Sequence, residues 1–323
     1  MRSTARVWLL PIGCLAAVVA LLQYTLRRGA PLSLDGALGA WATLLVGIVV
    51  QAVPFLVLGV LVSGAIAAFV PADLLARITP RSALLAVPTA GVAGMVLPGC
   101  ECASVPVAQS LLRRGLSQAA ALAFLLAAPA VNPVVLVATA VAFPGNPRMV
   151  WARLLASLLA VVAAGWLWLL VGGTGRMKPQ QAHDHPDGSR ASQFRATAVH
   201  DLVQAGGFLV VGAAVAAAVK VLVPVGVLSL VGENLWLAVV LMALLAVVLS
   251  LCSEADAFVV ASFSTVSPTA QLVFLVVGPM VDIKLFAMQS GAFGVRFASR
   301  FMPLTLACCV ASAVLVGSLL LGQ

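Results

Sequence analysis

Charge is scarce in this sequence. Of 323 residues ten are acidic and eighteen basic, so charged side chains make up 9% of the chain. A soluble domain carries about 25%. With 63% hydrophobic residues and a mean hydropathy of +1.15, a water-soluble globule is excluded. Histidine, with three copies, and tyrosine, with one, are also rare. No serine nucleophile elbow, zinc-protease helix or phosphate-binding glycine loop is present, so nothing points to an enzyme or to nucleotide hydrolysis. Six scattered cysteines are too few for a disulfide scaffold, and several fall inside apolar segments. The net charge of +8 is no nucleic-acid footprint, because Lys and Arg stand singly or in pairs at the ends of apolar segments. Neither a cofactor nor a tetrahedral metal-ligand set is expected.

What the chain has instead is long apolar runs. The first covers about 7–25, after Arg2 and Arg6. It reads as a retained helix. A cleaved signal peptide is the alternative, but the run is long and no small-x-small site follows it. Lipidation at Cys14 is opposed by Pro11, where an aliphatic residue is wanted. Further runs cover about 38–70, 84–112, 116–142, 148–173, 203–223, 234–265, 268–290 and 299–321. The fold class expected is an all-α, polytopic membrane bundle.

Two halves of the chain resemble each other. Gln51-Ala52, Phe55-Leu56-Val57 and Gly59 recur as Gln204-Ala205, Phe208-Leu209-Val210 and Gly212, and Val70-Pro71 as Val223-Pro224. Cys100-Glu101-Cys102 answers to Cys252-Ser253-Glu254-Ala255-Asp256, and Pro129 with Asn132 to Pro279 with Asp282. The offset drifts only from 153 through 152 to 150. Such duplication in a membrane protein points to a transporter with its site where the repeats meet.

Segments 84–112 and 234–265 are each interrupted near the middle, the first at Pro98-Gly99, and the pieces of the first, Leu84 to Leu97 and Ala103 to Leu112, are too short to cross about 30 Å of hydrocarbon. If both are re-entrant hairpins, Arg2, Arg6, Arg77, Arg81, Arg113, Arg114, Arg176, Lys178, Arg190, Arg195, Arg296 and Arg300 all face the cytoplasm. The positive-inside rule favours that arrangement, with Arg27-Arg28 as the misfit. Each half then crosses three times, and the second copy is inverted. The domains expected are an N-terminal helix and loop (1–37), a first repeat (38–173), a flexible cytoplasmic linker (174–200) and a second repeat (201–323).

The breaks carry the chemistry. Cys100, Glu101 and Cys102 form a soft, partly anionic spot, suited to a thiophilic solute rather than to calcium or magnesium. Simple packing is the competing reading for these cysteines and for Cys252, and the preferred one for Cys308 and Cys309. Glu101, Glu254, Asp256 and Asp282 are carboxylates at membrane depth, where a charge costs at least about 2.5–3.5 kcal/mol. Helix capping is the alternative role, above all for Glu254 and Asp256. Asn132 and Asp282 stand at matching places beyond a proline that frees a carbonyl. Lys284 points away from Asp282 on a regular helix, leaving Glu254 or Asp256 as its partner. Gln51 and Gln204 read as interhelical hydrogen-bonding residues. His183 and His185 read as solvated linker residues rather than a metal site.

The run Leu97-Pro98-Gly99-Cys100-Glu101-Cys102-Ala103-Ser104-Val105-Pro106, then Leu112-Arg113-Arg114-Gly115 and Ala128-Pro129, Asn132-Pro133, resembles the signature of a bacterial predicted-permease family that includes organoarsenical efflux permeases. Leu251-Cys252-Ser253-Glu254-Ala255-Asp256-Ala257-Phe258 is similar to the branch found as one subunit of a two-component membrane permease complex. The resemblance implies a multi-pass plasma-membrane permease with a small companion membrane subunit. In the arsenical exporters a small polar residue stands between the paired cysteines, and here it is Glu101. The reading reached is a secondary transporter exporting a small thiophilic or metalloid-type solute, with a proton as the coupling ion. Cys100, Glu101, Cys102, Asn132, Cys252, Glu254, Asp256 and Asp282 would bind the solute. A membrane thiol-redox protein and a non-transporting subunit are the alternatives.

Overall fold

The computed structural model describes residues 34–71, 80, 82–96, 100–171, 189–222, 235–263 and 266–322. The run at 7–25, Cys14, Pro98-Gly99, Val223-Pro224, His183, His185 and the linker up to residue 188 lie outside them. Among the described residues twelve helices follow one another and no strand occurs. They are α1 (Leu34–Phe69), α2 (Ala83–Gly94), α3 (Glu101–Arg113), α4 (Gln118–Ala130), α5 (Pro133–Ala142) and α6 (Pro147–Val171). The second half holds α7 (Arg190–Leu222), α8 (Leu235–Leu249), α9 (Asp256–Ala261), α10 (Pro268–Met280), α11 (Ile283–Phe293) and α12 (Val295–Leu320). The all-α membrane class expected from composition is what the chain adopts. Among the described residues six stretches are long and apolar enough to cross a membrane: α1, α4 with α5, α6, α7, α10 with α11, and α12.

Burial separates shell from core. The most apolar windows of α1 and α7 are each 28% buried, whereas those of α4–α5 and α10–α11 are 78% and 83% buried. The two innermost stretches are also the two that break. Pro129 and Pro279 withdraw a backbone donor near the end of α4 and α10, and a polar residue three positions later restarts the helix. Asn132 caps α5 by accepting from the Val135 N–H, and its Nδ2 donates to the Ala128 carbonyl at 2.9 Å. Asp282 caps α11 by accepting from the Leu285 N–H. Ser117 and Ser267 start α4 and α10 in the same way.

The short helices lie along these broken ones. At 1.5 Å per residue, α2, α3 and α8 reach about 18–22 Å and α9 about 9 Å, less than a bilayer core. α2 and α3 both pack on α4, and α8 and α9 on α10. The last residue of α2, Gly94, sits against Ala127 near the end of α4, while Leu84 at its start accepts from Trp166 Nε1 at 3.1 Å. α3 runs back to the start of α4. α3 also packs on α11, and α5 packs on α9.

α7 begins at Arg190, so the last part of the stretch expected to be a flexible linker, 190–200, is helical. The reason lies just past it. Asp201 is buried and must reach partners on α1 and α3, which fixes the turns around it. α1 packs along α7, with Trp41 Nε1 donating to the Ala214 carbonyl at 3.0 Å.

Candidate solute site

The first break delivers its residues inward. Cys100 caps α3 with an extended backbone (φ −80°, ψ 178°), and Glu101 is the first helical residue, where a carboxylate meets the positive end of the helix. Cys100, Glu101 and Cys102 are all buried. In the second break Ser250 adopts a left-handed backbone (φ 44°), uncommon for a residue with a side chain. Its hydroxyl accepts from the Ile283 N–H at 3.1 Å, which ties this loop to the break between α10 and α11. The turn carries Cys252 close to the Cys100 thiol, with Cys102 on the other side of it. Three thiols from two halves of the chain therefore meet, and all are free.

Beside them stands a buried cation. Lys284 Nζ lies 2.8 Å from Glu101 Oε1 and 3.5 Å from Asp282 Oδ2. This corrects the expectation that Glu254 or Asp256 would pair with Lys284. It also corrects the expectation that Asp282 would point away: Asp282 is an extended cap (φ −145°, ψ 171°), not a helical residue, so the helical angle between them does not apply. Glu101 Oε2 has no hydrogen-bond partner in the protein. Two carboxylates facing one ammonium leave spare acceptor capacity at the thiols.

Asp256 goes elsewhere. Its Oδ2 accepts from Arg153 Nη2 at 2.8 Å, and both residues are buried. Arg153 also donates to Thr139 Oγ1 and to the Ser253 carbonyl. Asp256 is the first residue of α9 and Ala255 its cap, so the capping role weighed for Asp256 gives way to an ion pair. Glu254 is half-buried and near enough to feel the charges of Glu101, Lys284 and Arg153. Asn132 is buried at its own helix break. Of the eight expected site residues, then, Cys100, Glu101, Cys102, Cys252 and Asp282 are brought together, Asp256 joins an ion pair with Arg153, Glu254 lies near both groups, and Asn132 stays at its own helix break.

The pairs are reciprocal. Glu101, from the first half, is neutralised by Lys284 of the second, and Asp256, from the second, by Arg153 of the first. A third pair, Arg113–Asp201 at 3.1 Å, joins α3 to α7, and Ser63 donates to the same carboxylate. Sequence reasoning missed Arg153 and Asp201 as partners. Arg153 was legible as a cation within the apolar 148–173 run, because a buried carboxylate such as Asp256 demands one. Gln204 donates to the Gly291 carbonyl at 2.9 Å, as an interhelical residue should, but Gln51 is exposed on the outer face of α1. Cys309 packs on Met280, Sγ to Sδ 3.4 Å. Among the described residues no group of three His, Cys, Asp or Glu side chains is placed to hold a metal ion.

A family model described as a predicted permease matches residues 37–318. A Streptococcus mutans protein named as a candidate two-component membrane permease complex subunit is 34% identical over 263 residues, 79% of this chain and 87% of that protein. The protein YcgR of Bacillus subtilis is 36% identical over 285 residues, 86% of this chain and 95% of its own length. No solved structure matches.

Proposed function

The chain belongs to this predicted-permease family and is a multi-pass integral membrane protein of the plasma membrane, and from that premise we propose that it is a secondary transporter for a small thiophilic solute, moved outward. The observation that carries the reading is the meeting of Cys100, Cys102 and Cys252 from the two halves, beside Glu101, Asp282 and Lys284, at the level where both innermost helices break. Unwound backbone at membrane depth is tolerated where it lines a cavity or is buried in protein, and transporter sites recur at such places. The repeats are inverted copies and the α2–α3 and α8–α9 segments re-entrant hairpins. Support comes from the lengths of these helices, from Gly94 ending beside the end of α4, and from the pairing of α1 with α7 and of α6 with α12.

The thiols would hold the solute's soft atom, and Glu101 would release and take up the coupling proton as Lys284 moves off it. Vesicles given only an ion gradient should accumulate or lose solute without ATP. Uptake that needs ATP and survives collapse of every gradient would overturn the reading. Glu101→Gln should abolish gradient-driven transport while the protein remains in the membrane. A parent-like pH dependence in that variant would remove the proton from the scheme.

Thiol-redox chemistry is the second reading, favoured by the proximity of Cys100 to both other thiols. It requires thiols whose oxidation state cycles with an electron donor. The name of the S. mutans relative suggests a companion subunit here as well, and pull-down from native membranes under mild detergent tests it.

A further inference from the structure

On α3 the residues Glu101, Val105, Gln109 and Arg113 form one row with a spacing of four, and on α11 Lys284, Met288 and Ala292 form another. The rows meet twice in register. Lys284 Nζ lies 2.8 Å from Glu101 Oε1, and Gln109 Nε2 donates to the Ala292 carbonyl at 3.1 Å. Eight residues separate the two contacts on both helices, so α3 and α11 run parallel and side by side for about 12 Å. One turn further along α3, Arg113 Nη2 lies 3.1 Å from Asp201 Oδ1 on α7. Asp201 also accepts from Ser63 of α1, whose carbonyl accepts from Ser110 of α3 at 2.8 Å. The seam between the two halves thus runs from the Glu101–Lys284 pair to a clasp of three helices, where the Arg113 side chain is 15% exposed.

Packing does not explain two features of this seam. Gln289, one turn before Ala292, is fully buried, yet neither its Nε2 nor its Oε1 has a hydrogen-bond partner in the protein. Arg113 likewise keeps Nε and Nη1 buried and unpartnered. On the repeat reading the position matching Gln289 is Thr139, whose hydroxyl donates to the Val135 carbonyl and accepts from Arg153. The first half satisfies its polar group there and the second does not. Buried polar groups without partners call for a functional account, and polar side chains at membrane depth mark solute and ion pathways.

We propose, resting on the transporter reading but on no particular solute, that the α3–α11 seam is the route between the thiol site and the aqueous face at Arg113. The Arg113–Asp201 pair is its gate, shut in this structure. When the pair parts, α3 and α11 separate and water and solute enter between them. The Gln289 amide and the remaining Arg113 nitrogens then meet polar partners.

The test reads the native thiols of the full chain in sealed vesicles. A small charged methanethiosulfonate is added to one face at a time, and mass spectrometry locates the labelled cysteines. Asp201→Asn can still accept from Ser63 but weakens the hold on Arg113. Labelling of Cys100, Cys102 and Cys252 should then quicken about tenfold or more from the face that Arg113 occupies, since a hydrogen bond to a charged group favours the closed state by that much. A separate Gly115→Cys variant, two residues beyond Arg113, identifies the face. Gln289→Leu removes an unpartnered amide, so it should slow labelling in the parent and in Asp201→Asn without lowering the melting temperature. Cys309, packed on Met280, should keep its parent rate. Equal acceleration at Cys309 means general loosening and overturns the proposal. Acceleration from the opposite face, or an unchanged rate at all three thiols, overturns it too, as does a Gln289→Leu variant that melts lower than its background. No solute or gradient enters this measurement, so a permease that proved ATP-driven would sink the secondary-transporter reading and leave the route standing.

Discussion

A buried lysine between two carboxylates is held by what surrounds it, and its removal is the sharpest test at the scale of single residues. Lys284→Met strands Glu101 and Asp282 in the interior, and breaking a buried pair in this way costs about 3–5 kcal/mol. The expected outcome is a large drop in thermal stability in detergent, partly restored when Glu101→Gln is added. A double variant as unstable as the single one would mean that Lys284 acts through packing alone. The thiols and carboxylates that the two breaks bring together were conspicuous in the sequence because apolar surroundings make each polar residue stand out. Their partners were not. Lys284 was assigned by helical angle, and Asp282 escapes that rule by standing just outside the helix. Arg153 and Asp201 lie far in sequence from Asp256 and Arg113, and no local spacing encodes such pairs.

At the scale of the helix, two glycines set how closely the site-bearing elements approach. A Cβ at Gly59 of α1 would lie 2.5 Å from the Ala103 Cα on α3, and one at Gly212 of α7 would lie 3.0 Å from the Lys284 Cα on α11. These positions match in the two sequence copies. Gly59→Val should therefore destabilise by about 1–3 kcal/mol through overpacking and shift Glu101 away from Lys284. Gly47→Ala, on the same helix with nothing within 4 Å, should be neutral or stabilising by up to about 1 kcal/mol. Equal effects at both positions, read by melting temperature, would deny the close approach. The helices themselves were readable from run length, and the restarts at Asn132 and Asp282 from the prolines before them. The helical start of α7 at Arg190 was not, because polar residues of a helix that leaves the apolar zone carry the composition of a linker.

For the whole molecule the hairpin arrangement makes a claim about sides. In a background without native cysteines, a cysteine at Gly115 should react with impermeant thiol reagents from the cytoplasm and one at Ser262 from outside. Labelling of Gly115 from outside would end the inverted-repeat reading. The reciprocal ion pairs also bear on the ancestry of the chain. On the repeat reading Lys284 corresponds to Val134 and Arg153 to Pro303, so neither copy carries the cation that its own break requires. A dimer of first halves would leave Glu101 facing valine, and a dimer of second halves would leave Asp256 facing proline. On that reading the two copies are non-interchangeable partners, each able to drift only so far as the other supplies its missing charge.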